Sequence, residues 1–208
     1  MSDLLRPETR VALTFDAEHP DRSNASAENA GRVLDALAAA HVRATFFVQG
    51  RWARSEPETL LRIANEGHVV GNHSNYHVRM PLLSDEGLRR DITEGEDAIR
   101  EIGSVDPRPW FRCPFGAGRQ DPRVLGAIEE LGYRDVAWDI ELEDWEPWRS
   151  AEHIADDAVK GSLARGDGAV VLLHTWPRHS AEAVPEIIDR LGNEGVRFVS
   201  IDELDELP

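Results

Sequence analysis

A short apolar run reads RVALTF at residues 10–15 and ends at Asp16, a pattern that predicts a buried β-strand followed by a polar residue. Similar apolar runs occur at residues 44–48, 68–70, 109–111, 135–138, 169–173 and 197–199. Segments with helical spacing of apolar residues lie between them, at residues 26–40, 57–66, 84–102, 122–131, 150–164 and 181–193. Strands that alternate with helices and are apolar along most of their length indicate a parallel sheet covered by helices.

The number of these repeats favours closure of the sheet. Seven or so strand–helix units predict an α/β fold, a distorted (β/α)7–8 barrel with parallel strands and its active site at the C-terminal strand ends. Polar or aromatic residues follow the predicted strands at Asp16, His73, Arg112, Trp138, Asp139 and His174. Because the sequence contains no internal repeat, low-complexity segment or Gly/Ser linker, we expect one domain over residues 1–208.

The composition limits the classes of partner. Lys and Arg number 23 against 39 Asp and Glu, and the resulting formal charge of −16 repels nucleic-acid phosphates and anionic membrane surfaces. We therefore expect no nucleic-acid or membrane partner. Cys113 is the only cysteine, so a metal site would use histidine and carboxylate ligands. The first ten residues lack a basic segment followed by an apolar one, which predicts a cytoplasmic protein, or a secreted one if a leader has been removed.

The pair His73 and His77 directly follows the predicted strand at residues 68–70. On a helical or turn-like segment, two residues four apart lie on one face, and neutral imidazole is a common ligand of zinc-like cations. The pair alone is weak evidence, because the chain has eight histidines. Asp16 and Glu18 follow the first strand, where two carboxylates can diverge, one toward a metal and one toward a bound water.

Three further groups follow later strands. Arg112 precedes the rigid turn Pro114–Gly116, and its guanidinium could hold a carboxylate ionised in one orientation. Residues 138–148 read WDIELEDWEPW, and such a mixture of acids and tryptophans suits a polyol or sugar surface. His174 follows Leu173 at the end of an apolar strand, a position where a lone histidine is more often structural than catalytic.

Taken in order, these five groups resemble the five motifs of the polysaccharide deacetylases of carbohydrate esterase family four, the NodB homology domain. The resemblance runs from Val11 to about Leu204. It implies a distorted (β/α) barrel and a metal-dependent hydrolase that removes acetyl groups from N-acetylated, or O-acetylated, carbohydrate. The implied cofactor is a divalent ion, zinc first, with cobalt, nickel, manganese and iron as alternatives. The implied substrate is an acetylated carbohydrate or a small amide.

The resemblance also implies a role for each matching residue. Asp16 would be the general base and His174 the general acid, while Arg112 would orient Asp16 and Asp144 would set the charge state of His174. The implied metal ligands are Glu18, His73 and His77. The resemblance implies that Pro114 and Phe115 form one wall of the groove. It implies that Trp145 and Leu173 form the other wall and receive the acetyl methyl group.

The first motif departs from the common pattern. Two adjacent aspartates are usual there, whereas here Ala17 follows Asp16 and Glu18 comes next; in the fourth motif, Glu141 stands where an Asp is usual. A D-x-[DE] arrangement resembles subgroups that include some peptidoglycan deacetylases and relatives of allantoinases and cyclic imidases. Two alternatives therefore stay open, a cyclic amide or imide hydrolase on the same fold and a non-catalytic sugar-binding relative.

Overall fold

The computed structural model describes residues 9–19 and 26–205, apart from the side chains of Ala27 and Asp205. Within these ranges the strands are β1 (Arg10–Ala17), β2 (Thr45–Val48), β3 (Val69–Asn72), β4 (Trp110–Phe111), β5 (Arg134–Asp135), β6 (Ile140–Glu141), β7 (Ala169–His174) and β8 (Arg197–Val199). The α-helices are α1 (Ala27–Ala39), α2 (Gly50–Ser55), α3 (Pro57–Asn65), α4 (Asp85–Gly103), α5 (Pro122–Glu130), α6 (Ala151–Arg165), α7 (Arg178–Asn193) and α8 (Ile201–Asp205). No helix in the described ranges has the length and apolar character that crossing a lipid bilayer requires.

The strands form one parallel sheet with β1 at its centre. Their order is β5-β4-β3-β2-β1-β7-β6, and β8 pairs with the first residues of β1. Among the described strands the path ends at β5 on one side and at β6 on the other, so the sheet curls into an open barrel. This confirms the predicted α/β fold with parallel strands and locates the distortion of the barrel between β5 and β6.

The strand register brings distant polar residues to one edge of the sheet. Asp16 in β1 lies opposite His174 in β7. On the other side of β1, Asn72 in β3 lies opposite Phe111 in β4, and these two residues directly precede His73 and Arg112. Because parallel strands end at the same edge, residues from four strand ends meet there.

Alternation along β1 separates the apolar core from the barrel interior. Leu13 and Phe15 belong to a large apolar cluster that includes residues of α1, α6 and α7. Thr14 and Asp16 are also buried, but both side chains bond to Arg112. Successive side chains of a strand point to opposite faces, so one face of β1 anchors the helices and the other carries the polar site.

The main differences from the predicted elements are short segments. The predicted strand at 135–138 forms pairs only at Arg134–Asp135, and Ile140–Glu141 forms a separate strand. Helix α2 begins at Gly50, two residues after the end of β2. A Cβ at Gly50 would lie 2.9 Å from Gly95 Cα, so this glycine permits close packing of α2 on α4. A single domain over 1–208 stays a prediction, because both termini extend beyond the described residues.

Candidate active site

A cavity of about 340 Å³ opens at the carboxyl edge of the sheet. It is lined by Asp16, Glu18, His19, His77, Arg79, Phe115, Trp138, Glu141, Trp145, Leu172, His174 and Trp176. Eight residues singled out from the sequence are among them: Asp16, Glu18, His77, Phe115, Trp138, Glu141, Trp145 and His174. Three more are buried beside or behind the lining and bond to it, namely His73, Arg112 and Asp144. The fold thus gathers one carboxylate–histidine cluster and two supporting ion pairs around one cavity.

Glu18, His73 and His77 form a cluster with the composition of a metal site. One ligand atom from each residue lies within 4.8 Å of the others. Glu18 Oε2 is 3.3 Å from His73 Nε2 and contacts His77 Nε2. His73 Nδ1 donates a hydrogen bond to the Arg112 carbonyl oxygen at 2.8 Å, so the lone pair of Nε2 points toward Glu18. A backbone partner on the far nitrogen is how proteins orient a metal-binding imidazole.

The atoms at the centre of this cluster fit a cation. Glu18 Oε2 and His73 Nε2 are buried and have no hydrogen-bond partner among the described residues. Buried polar atoms rarely stay unpaired, because each unpaired atom costs free energy. Burial raises the pKa of Glu18, but the adjacent side chains of His19, His73 and His77 outweigh burial and hold that pKa well below its ordinary value. Burial lowers the pKa of His77 despite the nearby Glu18, which favours the neutral, metal-binding imidazole.

The segment from His73 to His77 is a turn held by hydrogen bonds and not a helix. Ser74 and His77 have left-handed backbone angles, with φ of 61° and 56°. Asn72 Oδ1 accepts from the Ser74 N–H at 2.9 Å, and Ser74 Oγ accepts from the His77 N–H at 3.1 Å. Asp91 Oδ1 from α4 accepts from the Tyr76 N–H at 3.0 Å. These bonds hold an otherwise unfavourable backbone and fix the separation of the two imidazoles.

Asp16 is held by a buried arginine. Arg112 Nη1 donates to Asp16 Oδ1 at 2.8 Å, and Nη2 donates to Thr14 Oγ1 at 2.9 Å. The guanidinium has no exposed surface and lies 4.0 Å above the Phe47 ring. Asp16 Oδ2, the other carboxylate oxygen, is 3.4 Å from His73 Nε2. One oxygen of Asp16 is therefore fixed by Arg112, while the second faces the carboxylate–histidine cluster.

His174 is held by a buried aspartate. Asp144 Oδ1 lies 2.7 Å from His174 Nδ1, and Asp144 Oδ2 accepts from the His174 backbone N–H at 2.8 Å and from Ser180 Oγ at 2.5 Å. Burial lowers the pKa of His174, but Asp144 and the more distant Glu18 and Asp16 carboxylates outweigh burial and raise it to about 9. His174 is therefore protonated at neutral pH, with Nε2 3.7 Å from Glu18 Oε1.

Two of the wall residues expected from the sequence lie elsewhere. Leu173 is wrong as a cavity residue, because it is fully buried in the apolar core and Leu172 lines the cavity instead. Strand alternation explains the correction, since Leu172 and His174 are two apart and face the same side of β7. Pro114 is buried at the start of a short 3-10 turn and does not line the cavity, whereas Phe115 is 52% exposed and does.

The adjacent residues Trp138 and Asp139 lie in different parts of the barrel. Trp138 lines the cavity, as expected. Asp139 does not, because its carboxylate bonds to Arg165 Nε and to the Val170 N–H, both at 3.0 Å. Val170 is near the first residue of β7, so Asp139 lies toward the opposite end of the barrel. The expectation that Asp139 belongs to the carboxyl edge is wrong.

Several cavity residues were not predicted from the sequence. His19 Nε2 contacts Glu18 Oε1, the oxygen that does not face His73 and His77, and its ring packs edge-on against Trp176 with centroids 5.6 Å apart. Arg79 also lines the cavity. The available signals were proximity in the chain to Glu18 and His77, but residues in irregular turns have no periodicity from which a facing direction can be predicted.

An open parallel (β/α) barrel with this site defines a class of hydrolases that act on carbon–nitrogen bonds other than peptide bonds. The chain belongs to the polysaccharide deacetylase family, whose model matches residues 5–136. This match confirms the family that the five sequence motifs resemble.

Named relatives support the assignment. The chain is 35% identical over 198 residues to the peptidoglycan-N-acetylmuramic acid deacetylase PdaC of Bacillus subtilis, covering 95% of this chain and 39% of PdaC. The solved structure of PdaC is similar with a TM-score of 0.84 and 31% identity, covering 96% of this chain and 91% of that one. A peptidoglycan-N-acetylglucosamine deacetylase of Bacillus cereus is 32% identical over 195 residues, covering 92% of this chain and 66% of the relative.

The fold is also shared with a protein described as a pseudoenzyme. This member of carbohydrate esterase family four, from Bacillus anthracis, has a TM-score of 0.83 and 25% identity, covering 95% of this chain and 66% of that one. A mutant of it is described as having restored enzymatic activity, with a TM-score of 0.82 and 27% identity over 95% of this chain and 68% of that one. The side chains of the site, rather than the barrel, therefore carry the argument for catalysis.

Proposed function

We propose that this protein is a metal-dependent N-deacetylase of an acetylated glycan, with Asp16 as base and His174 as acid. The observation that supports this most strongly is that the side chains of the proposed base, acid and ligands lie close to Glu18. Its carboxylate lies 3.3 Å from His73 and 3.7 Å from His174, and the Asp16 carboxylate is 3.4 Å from the same His73 nitrogen. A base, an acid and three metal-binding groups therefore surround a single point in one cavity.

Glu18, His73 and His77 are the residues proposed to hold the metal. Two imidazoles and one carboxylate leave coordination positions open, which is typical of catalytic rather than structural zinc sites. We propose zinc first, with cobalt, nickel, manganese and iron as alternatives that the same ligands accept. When bound, such an ion supplies Lewis-acid polarisation of the acetyl carbonyl and lowers the pKa of a water.

Asp16 is placed to remove a proton from the attacking water. Arg112 bonds to Oδ1 and keeps the carboxylate in one orientation, so Oδ2 is the oxygen left to accept the proton. A fixed base needs no reorganisation during the reaction, and general base catalysis typically contributes about 10²- to 10⁴-fold. Replacing Asp16 by Asn would preserve an oxygen for Arg112 and remove the base.

His174 is placed to protonate the departing amine. Asp144 fixes the ring through Nδ1, which leaves the Nε2 proton directed toward the cavity. Because the pKa of His174 is raised to about 9, the acid form is present at neutral pH. The proton that Asp16 takes from water and the proton that His174 gives to nitrogen complete the hydrolysis of an amide to acetate and amine.

Apolar side chains beside His174 form a site for the acetyl methyl group. Leu172 and Trp145 line the cavity on this side, and the Trp145 ring packs edge-on against His174 with centroids 5.1 Å apart. Exposed Phe115 lies on the His77 side, with ring centroids 4.3 Å apart. Aromatic faces beside hydrogen-bonding acids suit a sugar ring.

An acetate-release screen tests this proposal. The purified protein, stripped with a chelator and reloaded with one metal at a time, is given N-acetylated glycan oligomers and cyclic imides of matched concentration. We expect acetate from the glycans and no ring opening of the imides. Ring opening without acetate release would instead assign the cyclic amide activity, and failure to retain a stoichiometric divalent ion would assign a non-catalytic sugar-binding protein.

A further inference from the structure

Among the described residues that line the cavity, Arg79 is the one with a Lys or Arg side chain. Its guanidinium forms no ion pair and no hydrogen bond with any residue in the described ranges. This differs from the other arginines near the site, since Arg112 pairs with Asp16 at 2.8 Å and Arg119 pairs with Asp135 at 3.3 Å. In a chain with 39 acidic residues, an arginine that forms no ion pair within the described ranges is an unusual feature of a binding cavity.

The position of Arg79 is fixed by an aromatic ring and not by a carboxylate. Its guanidinium carbon lies 4.5 Å from the centre of the Phe115 ring. The same ring lies 4.3 Å from the His77 imidazole. A guanidinium stacked on an aromatic face keeps its N–H edge free, and that edge matches the two oxygens of a carboxylate. Phe115 thus places an unpaired cation beside a proposed metal ligand.

Apart from Arg79 and the histidines, the charged side chains in the described lining are acids. Asp16, Glu18 and Glu141 contribute three carboxyl groups to the cavity, and the formal charge of the whole chain is −16. A neutral acetylated sugar needs no cation there, because it carries no charge to balance. A substrate with a carboxylate near the acetamide gains from one, since a cation that the acids of the cavity do not pair can balance the charge of that carboxylate.

We propose that Arg79 binds a carboxylate of the substrate and so directs the enzyme toward acidic N-acetylated sugars. This inference rests on the proposed function of the same cavity. The recognised chemistry is a carboxylate near the acetamide, and either a lactyl ether group, as in N-acetylmuramic acid, or a neighbouring uronic acid supplies it. A charge-assisted, two-pronged contact of this kind favours the acid over its neutral analogue by about tenfold or more.

Equilibrium binding in the Asp16→Asn background tests the contact without turnover. Four oligosaccharides of equal length are titrated into the metal-loaded protein by calorimetry: one with N-acetylmuramic acid, one with its lactyl group converted to the methylamide, one with a uronic acid beside N-acetylglucosamine, and one of N-acetylglucosamine alone. We expect one of the acids to bind about tenfold more tightly than its neutral counterpart. The acid that does so identifies the source of the carboxylate.

Arg79→Gln in the same background should abolish this preference, so that acid and neutral sugars bind about equally. Arg79→Lys should retain only part of the preference, because lysine keeps the charge and lacks the planar pair of N–H donors of a guanidinium. Arg90→Gln is the matched control, since Arg90 is partly exposed and lies outside the catalytic cavity, 3.9 Å from Glu86. It should leave the preference unchanged.

Equal binding of acidic and neutral sugars, absence of binding by all four, or a preference that survives Arg79→Gln would each overturn the inference. These outcomes are separable from failure of the proposed function. Acetate release by the wild-type protein without any acid preference supports the deacetylase and rejects the role of Arg79. Conversely, an Arg79-dependent acid preference in a protein that releases no acetate keeps the binding site and rejects the deacetylase.

Discussion

Glu18 Oε2 lies 3.3 Å from His73 Nε2, and among the described residues neither atom has a hydrogen-bond partner. This relationship accounts for the D-x-E form of the first motif. Ala17 is the last residue of β1 and is fully buried in the apolar core, so the residues on either side of it face the opposite way. Asp16 and Glu18 can therefore both reach the cavity, and the residue between them has no role as a ligand.

The proposed metal ligands and the proposed base are separable by two matched amide substitutions. We expect Glu18→Gln to lose bound metal, because the carboxamide has no negative charge to place between the two imidazoles. Asp16→Asn should retain metal and lose about 10²- to 10⁴-fold in kcat, the usual contribution of a general base. Metal content by mass spectrometry after dialysis, together with acetate release, checks both. Loss of metal in Asp16→Asn would show that Asp16 is a ligand and not the base.

The buried pair of Asp16 and Arg112 should also matter for folding. Arg112→Met removes the charge that balances a 4% exposed carboxylate. Leaving one member of a buried pair typically costs about 3–5 kcal/mol in the free energy of unfolding. Urea denaturation of the metal-free protein measures this change. The double variant Asp16→Asn/Arg112→Met should recover part of the loss, and a double variant no more stable than Arg112→Met would show that the charge of Asp16 is not its cause.

Much of this arrangement is predictable from local sequence. Apolar runs such as RVALTF and the spacing of His73 and His77 are local features: the runs predicted strands and the carboxyl edge, and the spacing suggested a histidine pair, whereas the full set of proposed ligands came from the resemblance to the family. The distances between these groups are not local, because they depend on the register of β1 with β7 and of β3 with β4. Leu173 was misplaced for a related reason, since choosing between adjacent residues of a strand requires knowing which face His174 occupies.

Features of the irregular turns could not be predicted in this way. The αL backbone at His77 and at Phe115, with φ of 56° and 57°, sets the direction of each side chain without a repeating pattern. The need for glycine at Gly50 arises from the close approach of Gly95 in α4. Such constraints arise from tertiary packing and have no counterpart in composition or periodicity.

The pH dependence of the reaction should depend on Asp144. As the proposed acid, His174 would act only while protonated, and its raised pKa of about 9 keeps it protonated through neutral pH. Asp144→Asn removes a charge that raises this pKa, so the alkaline limb of kcat/KM should move to lower pH. Ser180→Ala leaves that charge in place and should move the limb less. A pH profile of acetate release measures the position of this limb in each variant. An unchanged alkaline limb in Asp144→Asn would contradict the assignment of His174 as the acid.

His19 should stabilise the metal site without being one of its three ligands. Its Nε2 contacts Glu18 Oε1, which leaves Oε2 directed toward His73 and His77. We expect His19→Asn to raise the Kd for zinc by about 10- to 100-fold, the usual effect of losing a group that orients a ligand. Competition with a chromophoric chelator measures this Kd independently of activity.

The matched control is His41→Asn. His19 and His41 both have left-handed backbone angles, with φ of 60° and 54°, and asparagine tolerates this conformation well. His41 is exposed and lies outside the cavity, so its replacement should leave the Kd for zinc unchanged. If the two variants bind zinc equally well, the contact between His19 and Glu18 does not position the ligand. If only His19→Asn weakens binding, Glu18 owes its orientation to the histidine that follows it in the chain.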